Sequence, residues 1–172
     1  MTDPTEISIR PMVDADCAVI ASAFHREGWN KPRELFERYL HERTEGKRDV
    51  LTAEFGCEAA GYVTINWGPE YPIFRERYIP EIADLNVLKK FRRHGIGTRL
   101  MNEAERIISE RSDVAGIRVG LTADYGAAQR LYVKCGFIPD GHGVSQRRRF
   151  FRYGDELIVD DDLTLAFTKQ LR

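Results

Sequence analysis

Little in this sequence invites a covalent or metallic framework. Cysteine occurs three times, at Cys17, Cys57 and Cys135, an odd number, widely spaced and without a CxxC pair. Neither a disulfide scaffold nor a thiolate zinc cluster is therefore expected, and no metal is assigned. An excess of one charge is also missing. Lys and Arg number 26 against 27 Asp and Glu, a net charge of −1, so no global field recruits nucleic acid or an anionic membrane, and neither is expected as a partner. No apolar run approaches the roughly 20 residues that span a bilayer. The opening "MTDPTEISIR" is polar where a secretory leader would be apolar. Repeats, low-complexity tracts and a linker that would split the chain are absent. The expectation is one domain over residues 1–172, cytoplasmic, with its thiols reduced.

The apolar share, 42% of 172 residues, is enough to build a real core. "ISIR" (Ile7 to Arg10) alternates as a short strand does, and Asp14 is placed to cap a helix carrying Val19, Ile20, Ala23 and Phe24. Pro32 suits a first helical position, ahead of Leu35, Phe36, Tyr39 and Leu40 at helical spacing. "DVLTAEF" and "AAGYVTINW" flank a glycine-containing turn and read as a hairpin. Residues 68–80, with three prolines and several aromatics, read as a loop walling a pocket. Then the character changes. "EIADLNVL" is strand-like, Gly97, Leu100, Met101, Ala104, Ile107 and Ile108 share a helical face, and "GIRVGL" is a buried strand. A second helix bears Ala128, Leu131, Tyr132 and Cys135 in one stripe and stops at Gly136, and "LTLAFTKQL" is a last strand. Strand, helix, strand, helix predicts a crossover with parallel strands after an antiparallel start, hence a mixed α/β sheet with helices on both faces.

Between the first of these later strands and its helix lies "FRRHGIGTRL". Amide groups at a helix start lack partners and carry partial positive charge; glycines at 95 and 97 let an anion approach them closely. Arg92, Arg93 and His94 add donors, Thr98 adds a hydroxyl, and Lys89 and Lys90 stand just upstream. The chemistry is that of a pyrophosphate site. It is not a nucleotide-triphosphate loop, since GxxxxGK[ST] is absent. A dinucleotide fingerprint also fails, because Leu100 replaces its third small residue and "GIRVGL" ends without an acidic residue.

One crossover later comes "AQRLYVKCGF". The two stretches together resemble the GNAT superfamily of acyl-CoA-dependent N-acetyltransferases. The loop pattern [Q/R]-x-x-G-x-[G/A] is met by Arg92-Arg93-His94-Gly95-Ile96-Gly97, and L-Y-x-x-x-G-F by Leu131-Tyr132-Val133-Lys134-Cys135-Gly136-Phe137. The resemblance is specific from Glu81 to Phe137. It implies a centrally splayed sheet, with acetyl-CoA as co-substrate and its pantetheine arm in the gap. By that resemblance Leu85, Asn86 and Val87 offer backbone bonds to the arm, residues Arg92, Arg93, His94, Gly95, Ile96, Gly97 and Thr98 hold the pyrophosphate, and Ala128 leaves room. The family's common asparagine three residues before that alanine is Tyr125 here, so its hydroxyl or Asp124 would take the pantetheine contact.

The implied reaction is direct attack of a primary amine on the thioester in a ternary complex, the amine belonging to a small molecule or a peptide. Tyr132 is assigned the proton that goes to the leaving thiolate. Glu81, whose offset from Arg92 matches a catalytic glutamate of some members, is the first candidate base, burial raising its pKa; a water chain is the alternative, and Asp84 is a second carboxylate. The oxyanion would meet a backbone N–H near Asn86 or Val87, exposed where the strand bulges. Trp29 to Tyr39, residues 68–80 and the tail would form the acceptor wall, with Phe150, Phe151 and Tyr153 serving that wall or a homodimer contact. A different class, a non-catalytic acyl-CoA-binding or sensor module, needs the same pocket but neither Tyr132 nor Glu81.

Overall fold

Strand β1 (Ile7–Pro11) leads through Val13 into α1 (Asp14–Arg26) in a computed structural model that describes residues 6–172. Asp14 is the first helical residue and not the cap; the Val13 N–H donates instead to Asp16 Oδ2 at 2.8 Å, and Arg10 grips the same carboxylate at 2.7 Å. Pro32 precedes α2 (Arg33–Thr44) by one residue. The expected hairpin is β2 (Arg48–Phe55) and β3 (Glu58–Asn66). Residues 68–80 are not all loop, since α3 (Pro72–Glu76) forms a single turn with proline in its first position. Then follow β4 (Glu81–Val87), α4 (Ile96–Ser109), β5 (Val114–Gly120), α5 (Gly126–Lys134), β6 (Ile138–Gln146), the two-residue β7 (Arg149–Phe150) and β8 (Leu163–Gln170).

Among the described residues these strands make one eight-stranded sheet in the order β1-β2-β3-β4-β5-β8-β6-β7. Every pair is antiparallel except β4 with β5. The crossover through α5 does send β6 in the direction of β5, as the sequence pattern expects. The two are not neighbours, however, because β8 returns between them and pairs antiparallel with both. The expected mixed sheet is thus found, with its parallel part confined to one pair. The pattern gave no strand at β6, where Gly141 and Gly143 take positive φ and the register with β8 jumps between Pro139 and Val144.

Helices cover both faces, which is why Ala60 to Ile65 of β3 are buried without alternation. Tyr62 stacks edge-on against Phe24 of α1 and Phe36 of α2, at 5.5 and 5.0 Å between ring centroids. On the other face Phe55 meets Phe91 and His94, on the segment that enters α4. Small residues set how closely strands and rings approach. A Cβ on Gly61 would lie 2.5 Å from the Asn86 carbonyl oxygen, and one on Gly116 would lie 2.5 Å from the Phe74 ring. Gly61→Ala must push β4 off β3, since the atom it meets is backbone. Chemical denaturation should show a loss of about 1–3 kcal/mol, whereas a surface substitution would stay within about 0.5 kcal/mol.

Candidate active site

The parallel pair β4 and β5 is joined for two residues only. Glu81 faces Gly116 and Ile82 faces Ile117; from Ala83 and Arg118 onward no register partner links them. Burial follows the split: Glu81 and Ile82 are buried, while Ala83 to Val87 are all half-exposed although β4 is an interior strand. The strands part into a wedge, and the free edge of β4 along it belongs to Leu85, Asn86 and Val87. A bulge marks the same place. Tyr62 pairs with Asn86 and Thr64 with Ala83, leaving Asp84 and Leu85 opposite the single residue Val63. Asp84 takes φ 51 there, a left-handed conformation that costs a non-glycine residue on the order of 1–3 kcal/mol.

The glycine-containing loop stands where β4 ends. Arg93 has φ 67 and Gly95, the N-cap of α4, has φ 80. The first α4 bond runs from the Arg99 N–H to the Gly95 carbonyl at 3.0 Å, so the amides of Ile96, Gly97 and Thr98 have no intrahelical acceptor. No side chain caps them and no acidic residue occupies the first turn. An anion therefore meets no internal competitor. Arg92 and Arg93 are exposed beside these amides. His94 is committed to the loop itself: its ring packs edge-on against Phe55, and Nδ1 faces the Phe91 and Arg92 carbonyls at 3.2 and 3.0 Å. Gly97 is the close-packed member, because a Cβ there would lie 3.2 Å from Leu131 Cδ2.

Helix α5 forms the wall toward β5. Tyr132 is 6% exposed, and its hydroxyl pKa is pushed up by burial first, then by the negative charge of Asp84 and by Tyr125. The phenol keeps its proton across neutral pH. Ala128 is half-exposed on the same helix. The Tyr125 ring covers Gly120, where a Cβ would lie 2.4 Å away; burial first, and then the negative charge of Asp161, raise its hydroxyl pKa.

Two carboxylates lie on the α1/α2 side of the sheet. The sequence leaves Glu81 a solitary buried acid; it is buried, 4% exposed, but not solitary. Arg118 Nε and Nη2 donate to its two oxygens at 2.7 and 3.3 Å, and that guanidinium lies over the Tyr71 ring. Asp84 is more heavily bonded. Oδ1 accepts from Lys31 Nζ and Asn86 Nδ2, both at 2.7 Å, and Oδ2 accepts from the hydroxyls of Tyr62 at 2.7 Å and Tyr39 at 2.9 Å. Burial pushes this carboxyl up. The Lys31 charge and the donated hydrogen bonds outweigh it and hold Asp84 below the ordinary carboxylate range.

The predicted segments do converge. Lys31 and Tyr39 reach Asp84, Trp29 lies under Lys89 and Arg92, Tyr71 lies by Arg118, and Phe150 packs on Tyr71. Tyr62 and Arg118 escape the sequence reading, and Lys31 enters it only as part of the Trp29 to Tyr39 segment. Arg118 alone left a signal, as a charge inside a strand otherwise buried. A surface hollow of about 630 Å³, bordered by Val114, Ile138 and Gln170, has none of these residues in its lining. Among the described residues no group of three or more His, Cys, Asp and Glu could hold a metal ion, and no helix is long and apolar enough to cross a membrane.

A mixed sheet split between two parallel neighbours, with an uncapped cationic helix start at the mouth of the split, defines the acyl-CoA N-acyltransferase fold. The Acetyltransferase (GNAT) family matches residues 16–137, and the chain belongs to that family. An 89-residue stretch is 40% identical to an uncharacterized N-acetyltransferase of Archaeoglobus fulgidus, covering 50% of this chain and 57% of that one. The aligned part thus spans little more than half the length of this relative. Solved structures share the fold at lower identity. A GNAT-family protein from Desulfovibrio desulfuricans superposes with a TM-score of 0.71 at 15% identity, covering 97% of this chain and 100% of its own. A ribosomal-protein-alanine N-acetyltransferase from Brucella melitensis gives 0.69 at 21%, covering 95% and 99%. The protein yncA of Salmonella typhimurium, solved with its cofactor acetyl-CoA, gives 0.64 at 20%, covering 96% and 94%.

Proposed function

We propose that the protein is an acetyl-CoA-dependent N-acetyltransferase acting on a primary amine by direct attack in a ternary complex. The observation that carries this is the wedge: β4 and β5 part after Ile82 and Ile117, and the split opens toward amides at 96–98 that have no acceptor of their own. The donor set suits a diphosphate, with three amides and two guanidiniums and no carboxylate in the first helical turn. The free edge of β4 suits the amide-bearing arm of coenzyme A, which would bond Leu85, Asn86 and Val87 as an added strand would.

Within that reading the residues divide the chemistry. Arg92, Arg93 and the 96–98 amides bind the diphosphate, Gly95 and Gly97 keep the approach open, and His94 shapes the loop. Thr98 adds a hydroxyl at the mouth. Ala128 leaves space for the thioester end and Tyr125 closes the wall. A backbone N–H on the bulged part of β4, at Leu85 to Val87, meets the carbonyl oxygen as negative charge develops. Tyr132 donates its proton to the departing thiolate. Both oxygens of Glu81 already accept from Arg118, and Asp84, which despite burial is held below the ordinary carboxylate range by Lys31 and its hydrogen bonds, is a weak base. The amine's proton is assigned to solvent in the wedge, with Glu81 acting through Arg118 on the acceptor side. The acceptor, a small molecule or a peptide, approaches over Lys31, Tyr71 and Phe150.

Calorimetry with acetyl-CoA, followed by free-thiol release against a panel of amines, tests the proposal. Saturable binding and amine-dependent thiol release are expected. Binding without release for any amine would favour a non-catalytic acyl-CoA sensor, and no binding would end both readings. Gly97→Val puts branched bulk over the cradle. It should weaken acetyl-CoA by about 10- to 100-fold, the equivalent of one or two charge-assisted hydrogen bonds, and also lower the melting temperature, because the new Cβ lies 3.2 Å from Leu131 Cδ2 and that side chain must give way.

A further inference from the structure

We infer that Lys31 and Asp84 form a positioning pair that sets the β4 bulge for the reaction, a role that rests on the acetyltransferase reading above. Asp84 is the residue at φ 51, and Leu85 after it has a register partner in neither neighbouring strand. Neither has a register partner across the sheet. Asp84 is held through its side chain and its own carbonyl: the two carboxylate oxygens take four donors, Lys31 from the α1–α2 connection, Tyr39 from α2, Tyr62 from β3 and Asn86 from β4 itself, and the carbonyl accepts from Asn86 Nδ2 at 3.2 Å. The tyrosines are in turn immobilised. Tyr62 is wedged between Phe24 and Phe36, and Tyr39 lies edge-on to Phe36 with the Arg48 guanidinium 4.7 Å from its ring centre.

Lys31 is the only charge in the set that opposes Asp84, and it comes from a connection that also touches the phosphate loop. Glu27 Oε2 accepts the Lys89 N–H at 2.9 Å, and Trp29 has Lys89 and Arg92 over its ring at 5.9 and 5.7 Å. Residues 27–31 therefore tie the bulge to the segment that enters the diphosphate cradle. One short strap sees both ends of the thioester substrate. The saturated bonding of Asp84 gives it no vacant oxygen with which to take a proton from an amine, so its contribution lies in where it holds the backbone. A displaced bulge would misalign the N–H that meets the thioester oxygen, and misplacement of about 1 Å can cost on the order of 100-fold in rate.

Three variants test this: Lys31→Met, Asp84→Asn and the two combined. Acetyl-CoA affinity is measured by calorimetry, turnover by thiol release with the best amine of the panel, and exchange of the 83–88 amides by mass spectrometry. Lys31→Met strands a buried carboxylate and lowers the melting temperature. The double variant removes that unpaired charge and should melt close to wild type, yet its kcat should remain about 10- to 100-fold down, a larger loss than that in acetyl-CoA affinity, which the cradle at 92–98 still supports. Its 83–88 amides should exchange faster than wild type while β2 and β3 stay protected. A merely structural pair predicts the opposite: once melting recovers, kcat and exchange recover too, and that result overturns the proposal. Loss of acetyl-CoA binding in the wild type would instead strike the underlying acetyltransferase reading. If no amine is turned over, the exchange data still decide the positioning role.

Discussion

Tyr132→Phe should cut kcat by about 100-fold or more, the low end of what a positioned proton donor contributes, while leaving acetyl-CoA affinity and folding stability nearly unchanged. The separation follows from the surroundings of the hydroxyl. The ring is buried, at 6% exposure, so the packing that matters to the fold survives in phenylalanine. The oxygen owes its raised pKa to burial first and then to the negative charge of Asp84, and it has no hydrogen-bond partner among the described residues. Removing it leaves no partner unsatisfied, and the change in stability should be within about 0.5 kcal/mol. The direction of the shift also fixes the pH behaviour. A phenol pushed above its ordinary value stays protonated through neutral and mildly alkaline pH, so wild-type turnover should not fall there through loss of this proton. Thiol-release kinetics from neutral to alkaline pH on both proteins, with calorimetry in parallel, check the prediction. Wild-type kcat in Tyr132→Phe would return the residue to a purely packing role.

What the sequence disclosed of this site depends on how far apart its parts lie along the chain. The proposed diphosphate cradle is contiguous, from Arg92 to Thr98, and the chemistry read from it is spelled by neighbours: glycines that open the backbone and cations beside them. The Leu131 to Phe137 stretch is likewise local, a helical stripe ended by a positive-φ glycine. Both were legible, as were the strand between them and the mixed character of the sheet. The acceptor side is built otherwise. Lys31 and Asp84 are 53 residues apart, and Glu81 and Arg118 are 37 apart. Each appears in the sequence as a lone charge, and nothing local says that two of them meet. A bulge near Asn86 and Val87 is expected, but its centre at Asp84 is silent in the residues, because it comes from a mismatch between β3 and β4 and not from a residue type that demands positive φ. The insertion of β8 between β5 and β6 has the same origin: strand direction can be argued from crossovers, but which strand fills a vacant edge is decided by long-range packing.

Glu81→Gln should show whether that carboxylate acts on substrate or on Arg118. The pair is buried, with side-chain exposures of 5% for Glu81 and 23% for Arg118. Breaking it leaves a guanidinium partly desolvated over the Tyr71 ring without its counter-charge. The expected loss is about 3 kcal/mol, the low end for a broken buried pair because Arg118 retains some water. For a chain of this length that corresponds to a fall in melting temperature of about 10 °C. Arg118→Met should destabilise by a similar mechanism, stranding the carboxylate, and the double variant Glu81→Gln/Arg118→Met should recover much of the loss, a coupling that the double-mutant cycle reads directly. Activity then discriminates. If Glu81 serves the acceptor side through Arg118, both single variants lower kcat/KM alike and neither removes a limb of the pH–rate profile. A general base behaves differently: Glu81→Gln alone would depress kcat by about 100-fold or more and flatten the acidic limb, while Arg118→Met would keep it. The two patterns do not overlap, so thermal melts of four proteins and their pH–rate profiles assign the carboxylate to one role or the other.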